Sequence, residues 1–313
     1  MDRFCRQGDQ RRDEHGGSGP VDSGTAGAGD RDEAKVGSRR HSKLHRVDPL
    51  ITTIGVVVPA RNEAARLPAC LGAVTAAAKR AGVNTQVLVV LDTCSDDSLE
   101  VVQRFQDVTN AHHQPFTLKF LEVAVSNVGA ARAAGVEALL TSQDPSTLWL
   151  ATTDADSTVP QHWLTGQLEH AAQGFDAVLG TISMDSTDQH YPDRVLAQAR
   201  AEYTRAAAVA GQSGAGSSDP RANTHRHVHG ANLGMRADAY LAAGGFPPLV
   251  EHEDVVLVAA LTRTGCRLAW VDDIVVTTST RRDGRTPAGF AGYLRDLEQG
   301  IVSAPAGATR LLA

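Results

Sequence analysis

A chain of 313 residues, 42% apolar and 21% charged, carries enough apolar side chain to fill one large core or two small ones, which excludes a wholly disordered polymer and a small metal- or disulfide-stapled module. Thirty basic against 36 acidic residues give a net charge of −6 with no basic stripe to neutralise a phosphate backbone, so nucleic acid is not the expected partner. Cys5, Cys70, Cys94 and Cys266 lie far apart without CxxC spacing, which argues against structural zinc and favours a reducing, cytoplasmic or membrane-peripheral setting.

Residues 1–47 hold eight glycines and 18 charges of both signs among very few large apolar side chains, the composition of a disordered arm. Arg3, Arg6, Arg11 and Arg12 do not form a leader, because Asp2, Asp9, Asp13 and Glu14 interrupt them and no apolar stretch follows. No run of about 18 apolar residues codes an integral membrane segment. Residues 48–313 are expected to form one folded domain, divided near residue 183 where the strand–helix rhythm breaks.

The run ITTIGVVVP from Ile51 predicts a strand buried on both faces. Leu67, Leu71 and Val74 set helical spacing over 63–80, and Gly82 ends that helix. QVLVVLD predicts a second buried strand, followed by a helix bearing Leu99, Val102 and Phe105, with Ser95 or Asp96 as its cap. The alternation continues with a strand over 118–123, a helix over 128–140, the strand TLWLATT, a helix over 160–173 and the strand DAVLGTI. Repeated βα units of this length predict a mostly parallel central sheet between two helical layers, a three-layer α/β/α sandwich. Beyond residue 183 come a helix over 192–210, a Gly/Ser/Asp/Pro-rich loop with His225, His227 and His229, helices over 238–243 and 254–264, and strands over 267–271 and 275–278.

Open parallel sheets place ligands at the carboxyl ends of their strands, where Asn62, Asp92, Asp154 and Asp156 fall. In TTDADS, alternate residues of an extended turn project to one side, so Asp154 and Asp156 can converge on a hard divalent ion; either can also cap the following helix. The order of motifs from about Ile54 to Leu261 resembles the family 2 glycosyltransferases, GT-A fold enzymes that use nucleotide diphosphate sugars. VVVPARNEA is similar to their first strand and nucleoside-binding turn, placing Pro59, Ala60, Arg61, Asn62 and Glu63 there. VLVVLDTCSDDS puts Asp92 where the family contacts the nucleotide base, and NVGAARAAG matches a Gly and Arg turn through Gly129 and Arg132. TTDADS matches the family's metal-binding DxD, with Ala155 between the two acids.

The resemblance implies transfer of a hexosyl unit from a UDP or GDP sugar to the hydroxyl of a small-molecule or short lipid-linked acceptor, assisted by Mn2+ or Mg2+, with 48–183 as the nucleotide-sugar-binding half and 184–313 as the acceptor-binding half. Asp156 is then the direct metal ligand and Asp154 contacts the ribose or a metal-bound water. In EHEDVV the resemblance places an inverting base at Asp254, with Glu253 and Glu251 close enough to compete; an N-cap or a first-turn charge favoured by the helix dipole is the plain alternative there. His229 can complete the metal shell or meet a phosphate, or it can be a surface residue. Gly230, Ala231 and Asn232 are expected beside the acceptor groove, and Arg281 and Arg282 over the donor phosphates. Trp163 offers either a face for a sugar or a core packing residue. A retaining transferase, a nucleotidyltransferase and a noncatalytic nucleotide-sugar binder stay open.

Overall fold

The structure, a computed structural model, describes residues 50–110, 116–185, 190–202, 228–284 and 289–300. The arm expected over 1–47 and the histidines His225 and His227 lie outside them. The strands are β1 (Thr53–Ala60), β2 (Asn84–Asp92), β3 (Phe116–Val123), β4 (Leu148–Thr152), β5 (Ser157–Thr158), β6 (Ala177–Met184), β7 (Leu233–Arg236) and β8 (Leu268–Thr278). The helices are α1 (Leu67–Ala81), α2 (Ser98–Asn110), α3 (Val128–Leu140), α4 (Trp163–Ala172), α5 with residues 193–202 described, α6 (Ala237–Ala242), α7 (Glu253–Arg263) and α8 (Phe290–Glu298).

One sheet runs in the order β3-β2-β1-β4-β7-β6-β8-β5. β1 pairs in parallel with both β2 and β4, and β2 with β3, as the βα rhythm requires. β7 enters antiparallel between β4 and β6, which makes the sheet mixed. Sequence reading expects only a glycine-rich segment here, because LGMR is too short to show alternation. β5 and α8 are further elements that the pattern does not reveal. The two strands expected over 267–278 are one, β8, whose pairing with β6 shifts register between Leu179 and Thr181.

Period-two alternation splits the core into two layers. From β1, Ile54, Val56 and Val58 join α1 and α4 side chains on one face, while Val57 meets α3, α6 and α7 on the other. α1 carries a proline in its first turn and ends at Gly82, which adopts φ 65° and donates its N–H to Ala78 O at 3.3 Å. α3 begins at Asn127, whose side chain accepts the Ala130 N–H at 2.9 Å. A third, smaller cluster joins Met184 of β6 to Tyr191, Val195 and Leu196 and to Leu294 and Leu297 of α8. Among the described residues no helix is long and apolar enough to cross a membrane.

α3 lies close on the sheet because Gly135 has no side chain: a Cβ there would stand 2.6 Å from Val57 Cγ1 and 2.9 Å from Val90 Cγ2. These are β-branched side chains locked in buried strands, with little room to yield. Gly72 of α1, by contrast, has nothing within 4 Å of the same position. Gly135→Ala is therefore expected to lower stability by about 1–2 kcal/mol, overpacking outweighing its better helix propensity, and Gly72→Ala to raise it by up to about 1 kcal/mol. Urea melts of the two variants, with opposite shifts in midpoint, check this pair.

Candidate functional site

The loops leaving the carboxyl ends of β1, β2 and β3 are strained and stitched together. Asn62, Thr93 and Ser126, one in each loop, have φ of 54°, 53° and 48°, and His252 before α7 has 63°. Left-handed backbone costs a non-glycine residue about 1–2 kcal/mol, so each must be held by its surroundings. Asn62 Oδ1 accepts the Ser95 N–H at 2.7 Å, the Glu63 N–H donates to Ser98 Oγ at 2.8 Å, and the Ala64 N–H donates to Asp96 Oδ2 at 3.0 Å. Buried Asp92 gathers the backbone N–H groups of Val125 and Ser126, each at 2.9 Å, and of Asn127 at 3.0 Å. Its carboxylate also accepts the Thr93 hydroxyl at 2.9 Å. Asp92 thus fixes the turn into α3 with contacts that the sequence reading does not anticipate.

Arg132, on α3, is almost wholly buried and forms ion pairs with Glu253 of α7 and with Asp154 after β4. Phe246 places its ring centroid 5.9 Å from the guanidinium carbon. Gly230 rests on the guanidinium, where a Cβ would stand 2.6 Å from Nη2. Gly129 lets the 247–249 segment lie against α3, and its N–H donates to Leu249 O at 3.1 Å. A buried guanidinium demands carboxylate partners, so it ties the DxD to the start of α7.

Asp254, in the first turn of α7, accepts the Gly230 N–H at 2.6 Å and the Val255 N–H at 2.8 Å. It is not the helix cap: His252 holds that position and makes no side-chain cap. Burial raises the Asp254 carboxyl above the ordinary aspartate range, opposed by Arg132 and by the two backbone donors. Asp156 faces Arg281 instead, with Nη2 to Oδ2 at 2.8 Å, and Arg281 Nη1 also meets both Glu63 oxygens at 2.8 Å. Burial pushes the Asp156 carboxyl up to about 6; Arg281 opposes the rise, and Asp154 and Glu63 add to it. Burial also pushes up the Cys70 thiol, whose Sγ donates to Asp154 O at 3.3 Å, so this cysteine is no nucleophile.

Pro59 and Ala60 end β1, and Arg61 and Asn62 are exposed at the turn that follows. Ala155 is buried between the two acids. Glu251 is half-buried just ahead of α7. Three expectations need correction. Trp163 is fully buried, its indole N–H donating to Asn232 Oδ1 at 3.0 Å, so it presents no face to a sugar. Asn232 is buried as well, with Nδ2 donating to Thr181 O and Ile274 O at 2.8 and 2.9 Å, which leaves it a brace between strands instead of an acceptor contact; Ala231 is buried beside it. Arg282 pairs with Glu298 of α8 at 2.7 Å and stacks 4.5 Å from the Tyr191 ring centroid, which directs it to the third cluster.

The expected metal shell of Asp154, Asp156 and His229 is not assembled. Asp154 and Asp156 go to different arginines, His229 heads the Gly230–Asn232 turn, and among the described residues no three His, Cys, Asp or Glu side chains are gathered to hold an ion. Asp156 with Glu63 beside it nevertheless offers hard oxygen donors around a position that already holds positive charge. That donor set suits Mg2+ or Mn2+ when phosphate oxygens and water complete the coordination. The Glu63–Arg281 pair, 218 residues apart, carries no signal in the sequence.

The mannosyltransferase PcManGT from Pyrobaculum calidifontis, solved with GDP-Man and Mn2+, superposes with a TM-score of 0.53 at 18% identity, over 74% of this chain and 58% of that one. S. aureus TarS 1–349 in complex with UDP-GlcNAc superposes with a TM-score of 0.51 at 15% identity, over 81% and 67%. The undecaprenyl-phosphate 4-deoxy-4-formamido-L-arabinose transferase of Aeromonas hydrophila subsp. hydrophila is 29% identical over 141 residues, and the match spans 45% of this chain and only 40% of that relative. Residues 55–242, more than half of the chain, match the sequence profile of glycosyl transferase family 2, and with the DxD and Arg132 inside that span on a GT-A-type sheet the chain belongs to this family.

Proposed function

We propose that the chain transfers a hexosyl unit from a nucleoside diphosphate sugar to an acceptor hydroxyl by direct displacement with inversion, with Asp254 as base. The observation that carries this reading is the Arg132 bridge, which ties Asp154 on the donor side to Glu253, the neighbour of Asp254. The acceptor oxygen attacks the anomeric carbon, its proton passes to an Asp254 oxygen, and the bond to the diphosphate breaks with the electron pair leaving on the phosphate. The raised Asp254 carboxyl is a stronger base than an ordinary aspartate, and the Gly230 N–H orients it.

The complexes of the two solved relatives with UDP-GlcNAc and with GDP-Man and Mn2+ support the donor class. A divalent ion held by Asp156 would supply positive charge to the departing diphosphate, which a net-acidic protein otherwise provides only through arginines. Arg61 and Asn62 lie at the turn facing the nucleoside, and Glu251 lies toward the acceptor. The acceptor is taken to be a small molecule or a short lipid-linked one, in line with the lipid phosphate in the name of the Aeromonas relative. A cytoplasmic or membrane-peripheral setting accords with the sparse cysteines.

Asp254→Asn should fold, bind nucleoside diphosphate as the parent does, and lose transfer by roughly 100-fold or more, measured as release of nucleoside diphosphate with acceptor present. The acid limb of kcat/KM should fall off at a pH above that of an ordinary aspartate, near 4, since the base must be ionised, and should vanish from this variant. Glu253→Gln takes one of its two carboxylates from Arg132, leaving Asp154 as the ion-pair partner, and should instead cost about 1–3 kcal/mol of stability, read by thermal melting. Calorimetry should show that Mn2+ strengthens nucleoside diphosphate binding in the parent and much less in Asp156→Asn; equal strengthening in both would remove Asp156 from the metal site.

A further inference from the structure

We propose that Arg281 and a divalent cation compete for Asp156: the guanidinium neutralises Asp156 and Glu63 while no metal–diphosphate is bound, and gives up Asp156 when one arrives. The inference rests on the donor-diphosphate reading above. One guanidinium serves two carboxylates at 2.8 Å, and the Arg281, Glu63 and Asp156 side chains are only 18%, 6% and 13% exposed. Two anions so far from water need a cation between them, and a single positive charge leaves the group one charge negative. A divalent ion at Asp156, with Arg281 kept on Glu63, turns that single negative charge into a single positive one, which the diphosphate then meets.

The surroundings make the exchange a side-chain movement. The Ser279 N–H donates to Asp156 O at 3.2 Å, and Ser157 of β5 pairs with Thr278 of β8, so the two segments are joined through their backbones whichever partner the carboxylate takes. On the other side of Arg281, Arg282 is anchored to Glu298 and Tyr191. Glu63 is fixed through its own N–H to Ser98 and keeps hold of Nη1. Nη2, once released, faces the anionic diphosphate whose arrival brought the metal.

A metal ion that must displace a resident cation binds with an apparent affinity reduced by the fraction of molecules in which its ligand is free. Mn2+ alone, titrated into the full chain and followed by electron paramagnetic resonance, should bind Arg281→Gln about tenfold or more tighter than the parent, with Arg281→Lys between them. The double variant Arg281→Gln/Asp156→Asn should lose the gain. Metal-free Arg281→Gln should melt below the parent and recover part of the difference with Mn2+. Equal Mn2+ affinity in parent and Arg281→Gln, or weaker binding in the variant, overturns the exchange. Should Arg281→Gln not fold, Arg281→Lys decides, and no gain over the parent overturns it. Donor turnover with unchanged Mn2+ affinities would sink the exchange alone, whereas tighter Mn2+ binding in the variant without donor turnover by the parent would sink the transferase reading alone.

Discussion

A single buried guanidinium organises the working edge of this protein. Arg132 is carried on α3 into a place where its charge has almost no access to water, and the resulting demand for partners draws in Glu253 and Asp154 from elements 121 and 22 residues away. Low dielectric makes that demand stringent: each carboxylate has to stay where the arginine is, and the loss of either breaks a charge-assisted contact that water cannot replace. Because Asp254 follows Glu253 on the first turn of α7, fixing Glu253 also fixes the carboxylate proposed as base. Because Asp154 precedes Asp156 by two residues, fixing Asp154 also sets the DxD.

The glycines around this centre permit the close approach on which it depends. Gly129 admits the 247–249 segment, Gly230 lies against the guanidinium, and Gly135 lets α3 settle on Val57 and Val90. The left-handed conformations of Asn62, Thr93, Ser126 and His252 belong to the same economy. Asp92 and the Asn62–Ser95 pair compensate part of that strain with hydrogen bonds, so the loops around the site are held in unfavourable shapes by polar contacts specific to them. A second charge cluster, Glu63–Arg281–Asp156, is separate from the Arg132 cluster. The two acids of the DxD thus point to different cations, Asp154 to Arg132 and Asp156 to Arg281.

The parallel half of the sheet was legible in the sequence because buried β-branched runs such as TIGVVVPA and NTQVLVVLD need no tertiary context to declare themselves. The DxD and the acidic pair at 253–254 were legible as motifs for the same reason: their members are neighbours in the chain. β7 was not, since four residues between a helical turn and a short helix have no readable period, and their place in the sheet depends on pairing with β4 and β6. The sequence leaves Trp163 open between ligand and core and points Asn232 to the acceptor side, because a large aromatic or an amide near a site looks alike in sequence whether it faces a ligand or a neighbour. Burial and their mutual hydrogen bond decide for the neighbour.

By itself, the sequence determined the alternation of strands and helices, the family resemblance and the positions of the carboxylates, all of which follow from local composition and short spacing. Only the tertiary structure decided which cation each carboxylate meets, that Arg282 braces α8 instead of facing the donor, and that Asp92 spends its oxygens on the turn into α3. The physical reason is that charge pairing and burial act through space between segments up to 218 residues apart, and no local pattern encodes which distant partner a buried charge will find.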